Sequence, residues 1–238
     1  MSLSGLNSII LGAGPGMGRS IALALAKEGS RIALAARTYE KIKFICDEIS
    51  ELKVKCLPIV GDVSSYNSLS NIKSKVLEYF DRIDVIVYNA GGYFSFEGVE
   101  NISEEYLLGA LRNNIVGLYN TVRVFLKELE KSKGALLVTV ASPYVILQGN
   151  IAYAAAKGGL IWMVKRLAKE LANRDIRVVC IAPGFTYREP IEAGGSKLRS
   201  LEPQSPDYIG WVVAFLASRR AERITGECIV VDGGLSIL

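Results

Sequence analysis

Short apolar runs alternate with longer amphipathic segments along the chain. The first run, residues 7–11, ends in a glycine-rich turn, and residues 16–28 then repeat apolar positions at helical spacing. Uninterrupted short apolar runs are typical of buried strands, whereas apolar residues three and four positions apart are typical of amphipathic helices. The pattern predicts strands at 7–11, 32–36, 54–60, 83–88, 135–140, 176–181 and 228–231, and helices at 16–28, 38–52, 66–80, 103–130, 152–173 and 207–218.

Continuous apolar strands that alternate with helices indicate a parallel sheet covered by helices on both faces. We therefore predict an α/β fold with a doubly wound parallel sheet, in a single domain over residues 1–238. No internal repeat, low-complexity stretch or Pro/Gly linker divides the chain. Residues 184–206 contain three prolines and three glycines with little periodicity, which predicts a substrate-binding loop.

Composition excludes several classes of site and partner. The 238 residues include no His, which excludes a Ser-His-Asp triad, a Cys-His dyad and His-liganded zinc. A general acid must then be Tyr, Lys, Cys, Asp or Glu, and we predict no metal site. The net charge of +4 is small and evenly spread, so we expect neither nucleic acid nor a membrane as partner.

The four cysteines and the ends of the chain bear on the cellular compartment. Cys46, Cys56, Cys180 and Cys228 form no CxxC pair, so we expect free, buried cysteines in a reducing compartment. The first residues show neither a charged n-region nor an A-x-A cleavage site, and no apolar run reaches about 18 residues. These features predict a soluble, cytoplasmic protein.

Three spaced glycines mark the turn after the first strand. Gly12, Gly16 and Gly18 fit GxxxGxG, because Met17 stands where the GxGxxG fingerprint requires its third glycine. Small residues let the backbone approach a pyrophosphate, which favours a Rossmann-type dinucleotide site; a purely structural turn is the alternative. The second strand ends at Arg37 rather than an acid, which favours NADP(H) over NAD(H) unless this Arg is merely solvated.

Tyr153 and Lys157 are four residues apart in a predicted helix, so they lie on one face about 5–6 Å apart at Cβ. The pKa of a phenol is ordinarily about 10, and a nearby ammonium lowers it. The pair is therefore a candidate general acid that needs no His, with an ordinary surface pair as the alternative. Ser142 is a candidate donor to a carbonyl oxygen, or else a turn or cap residue.

Five elements, in order, resemble the short-chain dehydrogenase/reductase family along nearly the whole chain. They are the glycine turn, Asn89-Ala90-Gly91, Asn114, Ser142 with Tyr153-xxx-Lys157, and Pro183-Gly184. Each motif is weak alone, and their common order and spacing make the resemblance specific. Within the family, the chain is similar to 3-oxoacyl-[acyl-carrier-protein] reductases.

The resemblance implies roles for two sets of residues. Tyr153 would exchange a proton with the substrate oxygen, which Ser142 would polarise. Lys157 would lower the pKa of Tyr153 and hydrogen-bond the nicotinamide ribose, while Asn114 would hold a water that links Lys157 to solvent. The implied cofactor contacts are Gly12, Gly14, Gly16, Met17, Gly18, Arg37, Asp62, Val63, Asn89, Ala90, Gly91, Tyr153, Lys157, Pro183, Gly184 and Thr186.

The chain departs from the family pattern at three places. Leu11 replaces a Thr before the glycine turn, and the interval from Ser142 to Tyr153 is a little shorter than usual. Arg188 stands where the family often has a Thr that binds the carboxamide, and Thr186 lies two residues earlier. Either Thr186 or Arg188 is therefore the candidate cofactor contact of this loop.

The implied function is an NADP(H)-dependent oxidoreductase that interconverts a carbonyl and a secondary alcohol on a small-molecule or acyl-thioester substrate. A 3-oxoacyl thioester is the first candidate; a sugar or secondary-alcohol dehydrogenase and a non-catalytic NADPH-binding sensor or scaffold are the alternatives. The charges of the predicted loop are balanced: Arg188, Lys197 and Arg199 against Glu189, Glu192 and Glu202. Four aromatic residues are candidates for a pocket wall, or for ordinary packing: Tyr93, Phe94, Phe96 and Tyr144.

The resemblance also concerns assembly. Members of the family commonly pair through two long helices, which correspond to 103–130 and 152–173 in this chain. A homodimer or homotetramer is therefore expected, with Trp162 and Met163 on or near the shared surface.

Overall fold

A seven-stranded sheet forms the centre of the computed structural model, which describes residues 2–188, 198 and 200–237. Its strands are β1 (Asn7–Leu11), β2 (Arg31–Ala36), β3 (Cys56–Val60), β4 (Val85–Tyr88), β5 (Ala135–Thr139), β6 (Arg177–Pro183) and β7 (Cys228–Val231). The order across the sheet is β3-β2-β1-β4-β5-β6-β7, and every neighbouring pair is parallel. The predicted α/β sheet is confirmed.

Helices cover both faces of this sheet. They are α1 (Met17–Lys27), α2 (Tyr39–Glu51), α3 (Tyr66–Phe80), α4 (Glu104–Leu111), α5 (Gly117–Ser132), α6 (Pro143–Gln148), α7 (Ile151–Leu171) and α8 (Asp207–Ala217). One apolar core packs α1, α2 and α8 on one face, and a second packs α3, α5 and α7 on the other. Every residue of β1 is buried, because neighbouring side chains enter opposite cores. Among the helices of the described ranges, none has the length and apolarity that crossing a bilayer requires.

Two features differ from the predicted helices. The single helix expected at 103–130 is divided by a five-residue π-helical segment, Arg112–Val116, between α4 and α5. A π-helix widens the turn by one residue, and this is a common device at functional sites. The short helix α6 was not predicted, because six residues are too few to establish a helical period.

The strand order reverses between β1 and β4. Strand β1 lies between β2 and β4, so the connections after β1 and β4 leave the sheet toward opposite faces. A crevice opens outside the carboxyl ends of the strands at such a point, and open α/β sheets bind their ligands there. The glycine turn follows β1, and Asn89 follows β4, so both belong to this crevice.

The expectation of four free cysteines is wrong in this structure, which contains two disulfides. Cys46 of α2 is bonded to Cys56 of β3, with the Cα atoms 5.2 Å apart. Cys180 of β6 is bonded to Cys228 of β7, with the Cα atoms 4.3 Å apart. The second pair forms because the two residues are direct partners in the β6–β7 register, which spacing in the sequence does not reveal.

Candidate active site

A cleft of about 520 Å³ opens at the carboxyl ends of β1 and β4. Its walls come from the glycine turn, the end of β2, the residues after β3 and β4, and the first turns of α7. The structure brings most of the predicted cofactor residues to it: Gly12, Gly14, Met17, Arg37, Asp62, Val63, Asn89, Ala90, Gly91, Tyr153 and Lys157.

The glycine turn has two separate requirements for small residues. Gly12 has φ +91°, and a Cβ there would lie 2.5 Å from the backbone nitrogen of Ala90. A Cβ at Gly18 would lie 2.8 Å from the Cα of Ala13, so these two positions are fixed by packing. At Gly14 a Cβ would meet nothing within 4 Å, and this residue faces the open cleft. Helix α1 begins at Met17 on the cleft wall, so its first N–H groups are available to an anion.

The end of the cleft beside β2 is basic. Arg37 is exposed there, and Lys41 lies one turn into α2 on the same wall. Within the described residues, neither cation is engaged in a salt bridge. Thr38 occupies the N-cap position of α2, but its side chain makes no capping hydrogen bond. Arg37, Thr38 and Lys41, the basic end of the cleft, therefore present two cations and one hydroxyl to a ligand.

Asn89 braces the floor of the cleft. Its Nδ2 donates to the carbonyl of Gly12 at 2.8 Å, and its Oδ1 accepts from Thr139 Oγ1 at 2.9 Å. The side chain thus links the glycine turn after β1 to the end of β5. Asp62 is fixed differently, because its Oδ1 accepts from the backbone N–H of Ser64 at 2.9 Å.

Tyr153 and Lys157 lie together on the buried side of α7, where both are over 90% buried. The Lys157 Nζ lies 5.9 Å from the centroid of the Tyr153 ring. No hydrogen bond to Lys157 occurs within the described residues. A Cβ at Gly91 would lie 2.9 Å from Lys157 Nζ, so the ammonium lies directly over this glycine.

The electrostatics of this pair differ from the prediction. Burial raises the pKa of Tyr153 to about 12, and burial lowers the pKa of Lys157 to about 8. The Tyr153 pKa shifts in the direction opposite to the prediction, because removal from water disfavours the charged form of each group. In this state the phenol holds its proton firmly, and the lysine titrates near neutral pH.

We expect replacement of Lys157 by Met to stabilise the folded chain. Its pKa is about 8 when folded and 10.5 ordinarily, so the buried ammonium costs about 3 kcal/mol below pH 8. The unfolded chain binds more protons between these values, so stability rises with pH across that window. Urea unfolding at pH 7 should show Lys157→Met more stable by up to about 3 kcal/mol, with a smaller difference at pH 9.5. Lys165→Met, at a part-exposed site on the same helix, is the control; an equal gain there would contradict the explanation.

Asn114 lies in the π-helical segment and faces the same space over Gly91. Its Nδ2 donates to the carbonyl of Ala110 at 2.9 Å, while its buried Oδ1 has no hydrogen-bond partner. A Cβ at Gly91 would lie 3.7 Å from this Oδ1 and 2.9 Å from Lys157 Nζ. An orphaned buried acceptor beside a buried ammonium is a favourable place for a bound water.

Ser142 has partners outside the cleft. Its Oγ accepts from the N–H of Val145 at 3.4 Å, which caps α6. Burial raises the pKa of the Asp232 carboxyl, but hydrogen bonds from the Ser236 hydroxyl, the N–H groups of Gly234 and Ser236 and the Ser142 hydroxyl bring it below its usual value. Ser142 is fully buried and is not among the described residues that line the cleft, so the carbonyl-polarising role expected for it has no support in this geometry.

The segment after β6 brings Arg188 rather than Thr186 to the cleft. Thr186 Oγ1 donates to the carbonyl of Gly184 at 2.9 Å. Gly184 lines a second cavity of about 230 Å³, and Pro183 is buried at the end of β6. Arg188 lines the cleft itself, and a Cβ at Gly16 would lie 2.8 Å from its carbonyl oxygen.

Part of the predicted loop 184–206 lies outside the described residues. Residues 189–197 and 199 belong to that part, and with them Glu189, Glu192, Lys197 and Arg199. Glu202 is exposed and lines the second cavity. The charge balance of the loop therefore stays a prediction.

Aromatic rings adjoin Tyr153. The Phe94 ring meets the Tyr153 ring edge-on, with the centroids 5.1 Å apart, and Phe96 packs edge-on against Phe94 at 5.1 Å. Tyr93 packs instead against Tyr106, with the centroids 5.0 Å apart. Of the four aromatic residues predicted as a pocket wall, Phe94 is therefore the one that contacts Tyr153.

Asn150 is a site residue that the sequence reasoning missed. It is the N-cap of α7, and its Oδ1 accepts from the N–H of Tyr153 at 2.9 Å. Its Nδ2 donates to the carbonyl of Tyr93 at 2.8 Å and to Ser95 Oγ at 2.9 Å. An Asn just before a predicted helix is a recognised capping signal, so the cap was predictable, whereas the contacts to the loop were not.

Comparisons with known proteins agree with this geometry. A family model described as short chain dehydrogenase matches residues 7–193. The 3-oxoacyl-[acyl-carrier-protein] reductase of Thermotoga maritima is 32% identical over 247 residues, covering 100% of both chains. The reductase of the same name from Staphylococcus aureus is 30% identical, over 96% of this chain and 97% of its own.

Solved structures are similar over the same extent. A short-chain type dehydrogenase/reductase from Mycobacterium marinum superposes with a TM-score of 0.91 at 27% identity, over 100% of this chain and 97% of its own. A 3-ketoacyl-(acyl-carrier-protein) reductase from Brucella melitensis, complexed with NADH, has a TM-score of 0.89 at 25% identity, over 99% and 100%.

Proposed function

The chain belongs to the short-chain dehydrogenase/reductase family and is an NAD(P)-dependent oxidoreductase, and from this premise we propose that it interconverts a carbonyl and a secondary alcohol with NADP(H) as the preferred cofactor. The observation that carries the proposal is the buried Tyr153–Lys157 pair on the wall of the glycine-turn cleft. Because several relatives are named 3-oxoacyl-[acyl-carrier-protein] reductases, a 3-oxoacyl thioester is one candidate substrate, and a sugar or secondary alcohol is another.

The cleft fits a dinucleotide on several counts. Gly14 leaves its Cβ direction open beside the start of α1, which suits a pyrophosphate. The buried Lys157 ammonium and the buried Asn114 Oδ1 make no hydrogen bond within the described residues. A ribose hydroxyl would provide a partner for Lys157, and a water would provide one for Asn114. When bound, the reduced nicotinamide supplies a hydride to the carbonyl carbon.

Tyr153 and Lys157 of α7 then transfer the proton. With a pKa of about 12, Tyr153 is protonated at neutral pH and is a donor to the carbonyl oxygen as negative charge develops there. The Lys157 ammonium stabilises the phenolate left behind. With a pKa of about 8, Lys157 can also return a proton to the Tyr153 phenolate. Lys157 then takes up a new proton from solvent through a water held by Asn114.

The basic end of the cleft should select NADPH over NADH. Arg37 and Lys41 provide two cations for a 2′-phosphate, and one charge-assisted hydrogen bond contributes about 1.5–3 kcal/mol. Arg37→Gln should therefore raise the Kd of NADPH by roughly 10- to 100-fold and leave that of NADH unchanged, as measured by fluorescence titration. Lys43→Gln removes an equal charge from α2, where Lys43 pairs with Asp47, and should change neither value. Equal weakening of both cofactors by Arg37→Gln would rule the assignment out.

The function itself is tested by following NADPH and NADH oxidation by the purified protein with a set of carbonyl compounds. Acetoacetyl thioesters, diketones, α-ketoesters and sugar lactones cover the candidate classes. Carbonyl-dependent NADPH oxidation is the expected result. Saturable NADPH binding without turnover on any carbonyl or alcohol would instead favour a sensor or scaffold.

Exposed apolar residues support a homodimer or homotetramer. Trp162 on α7 is 73% exposed, and Tyr119 on α5 is 53% exposed. Met163 packs partly against the core, so it is less available than predicted. Light scattering should give two or four times the 25.8 kDa chain mass, and Trp162→Glu should lower it. A parent protein of 25.8 kDa at working concentration would contradict the assembly.

A further inference from the structure

A chain of aromatic rings extends from Tyr153 along one side of the candidate active site. Phe94 meets Tyr153 at 5.1 Å and Phe185 at 6.1 Å, measured between ring centroids. Phe185 in turn meets Tyr144 at 6.2 Å, and Phe96 packs against Phe94 at 5.1 Å. All of these contacts are edge-to-face. We call Phe94, Phe96, Phe185 and Tyr144 the aromatic wall.

The aromatic wall is held in register with Tyr153. Asn150 accepts the Tyr153 N–H and donates to the carbonyl of Tyr93, while its own N–H donates to the carbonyl of Ser95 at 2.9 Å. The residues on both sides of Phe94 are therefore fixed to the start of α7. Tyr93 has φ +68°, and its carbonyl also accepts from Tyr106 Oη at 2.7 Å, which holds this unusual backbone. The Phe94 end of the wall is thus held in place without a ligand.

The wall retains uncovered apolar surface. Phe94, Tyr144 and Phe185 are only partly buried, and Phe96 is 77% exposed. Grouped exposed apolar side chains mark a ligand or partner surface. Phe94 also lines the cleft that Tyr153 and Lys157 share, so the wall meets the candidate reaction site at Phe94.

The chemistry of the wall distinguishes the candidate substrates. The wall consists of three phenylalanines and one tyrosine, and Arg37 and Lys41 lie at the opposite, basic end of the cleft beside β2, although Arg188 also lines the cleft. A sugar needs several converging hydrogen-bond partners, and a substrate on an acidic carrier favours cations at the rim. Aromatic edges and faces instead suit a flat or cyclic apolar group.

We propose that the substrate is a ketone that carries its carbonyl on or beside an apolar ring, an aryl or alicyclic ketone, with the ring against Phe94 and Phe185. The proposal rests on the proposed oxidoreductase function and chooses among its substrates. The carbonyl carbon gains the hydride, the oxygen gains the Tyr153 proton, the reduced cofactor is oxidised, and the product is a secondary alcohol.

The test measures kcat/KM with saturating NADPH for acetophenones and substituted cyclohexanones, for an acetoacetyl thioester and for a sugar lactone. We expect the best ring ketone to exceed both others by at least tenfold. Phe94→Ala should lower kcat/KM for ring ketones by at least tenfold, mainly through KM, and leave the Kd of NADPH within twofold. Phe94→Leu keeps apolar volume without a ring and should give an intermediate loss. Phe44→Ala, on an exposed face of α2, is the matched control and should change nothing.

A second variant keeps the test independent of packing at Phe94. Asn150→Asp preserves the acceptor that caps α7 but replaces the Nδ2 donor to the loop with an oxygen that faces the Tyr93 carbonyl, so Tm should fall and KM for ring ketones should rise several-fold, with the Kd of NADPH unchanged. A thioester or lactone that equals the best ring ketone, or a Phe94→Ala loss that is the same for every substrate, overturns the proposal. Absence of all carbonyl turnover by a parent that binds NADPH would instead overturn the proposed function.

Discussion

Replacement of Tyr153 by Phe should lower kcat for carbonyl reduction by roughly 10²- to 10⁴-fold, the usual contribution of a positioned general acid. The change removes one oxygen from a side chain that is 8% exposed, and the ring contact with Phe94 is retained. The carbonyl oxygen then has to take its proton from water while hydride arrives at carbon. The measurement is NADPH oxidation under saturating substrate.

The same variant should bind NADPH nearly as well as the parent, because the loss lies in a transition-state interaction rather than in ground-state binding. Tyr79→Phe removes an equivalent hydroxyl from an exposed site on α3 and should behave as the parent. Parent-like turnover by Tyr153→Phe, with folding and cofactor binding intact, would show that another group donates the proton.

Loss of the Cys180–Cys228 disulfide should lower the free energy of unfolding by about 4 kcal/mol. The bonded residues are 48 positions apart, and closing a loop of that length removes about this much chain entropy from the unfolded state. The Cys46–Cys56 pair, 10 positions apart, should contribute about 3 kcal/mol. Urea unfolding of Cys180→Ala/Cys228→Ala measures the contribution of the first disulfide. Urea unfolding of this double variant with and without dithiothreitol then measures the contribution of Cys46–Cys56.

Thiol titration of the denatured, unreduced protein provides the direct check and should detect no free thiol. A variant with all four cysteines replaced by Ala should be insensitive to dithiothreitol. Four titratable thiols in the unreduced parent would contradict the pairing. Such bonds persist in oxidising compartments and in the intracellular proteins of hyperthermophiles, so the pairing also removes the support that cysteine usage gave to a reducing compartment.

The sheet and the helix that carries Tyr153 and Lys157 were predictable because their signals are local. Ile9, Ile10 and Leu11 are all fully buried, and an uninterrupted apolar run of that kind is the signature of a strand between two helical layers. The four-residue spacing of Tyr153 and Lys157 places them on one helical face whatever surrounds them. The family resemblance then identified the other candidate site residues, because the five motifs occur in the family's order.

The remaining features depend on distant parts of the chain. Cys180 and Cys228 meet only through strand register, which no local pattern encodes. The raised pKa of Tyr153 follows from burial by the assembled fold, not from its sequence neighbours. The hydroxyl of Ser142 interacts with Asp232, 90 residues further along, and no local pattern around Ser142 indicates this partner.

The π-helical segment Arg112–Val116 makes the length of this stretch matter as much as its composition. One residue rotates a helix by about 100°, so deleting a single residue there would restore a regular α-helix and turn α4 relative to α5. Asn114 would leave the space over Gly91, and the Asn113 carbonyl would lose the hydrogen bond from Tyr88 Oη, now 2.6 Å long. The extra residue acts as a phase shift between α4 and α5: it sets the angular position of the Asn114 amide in the candidate active site without changing any side chain.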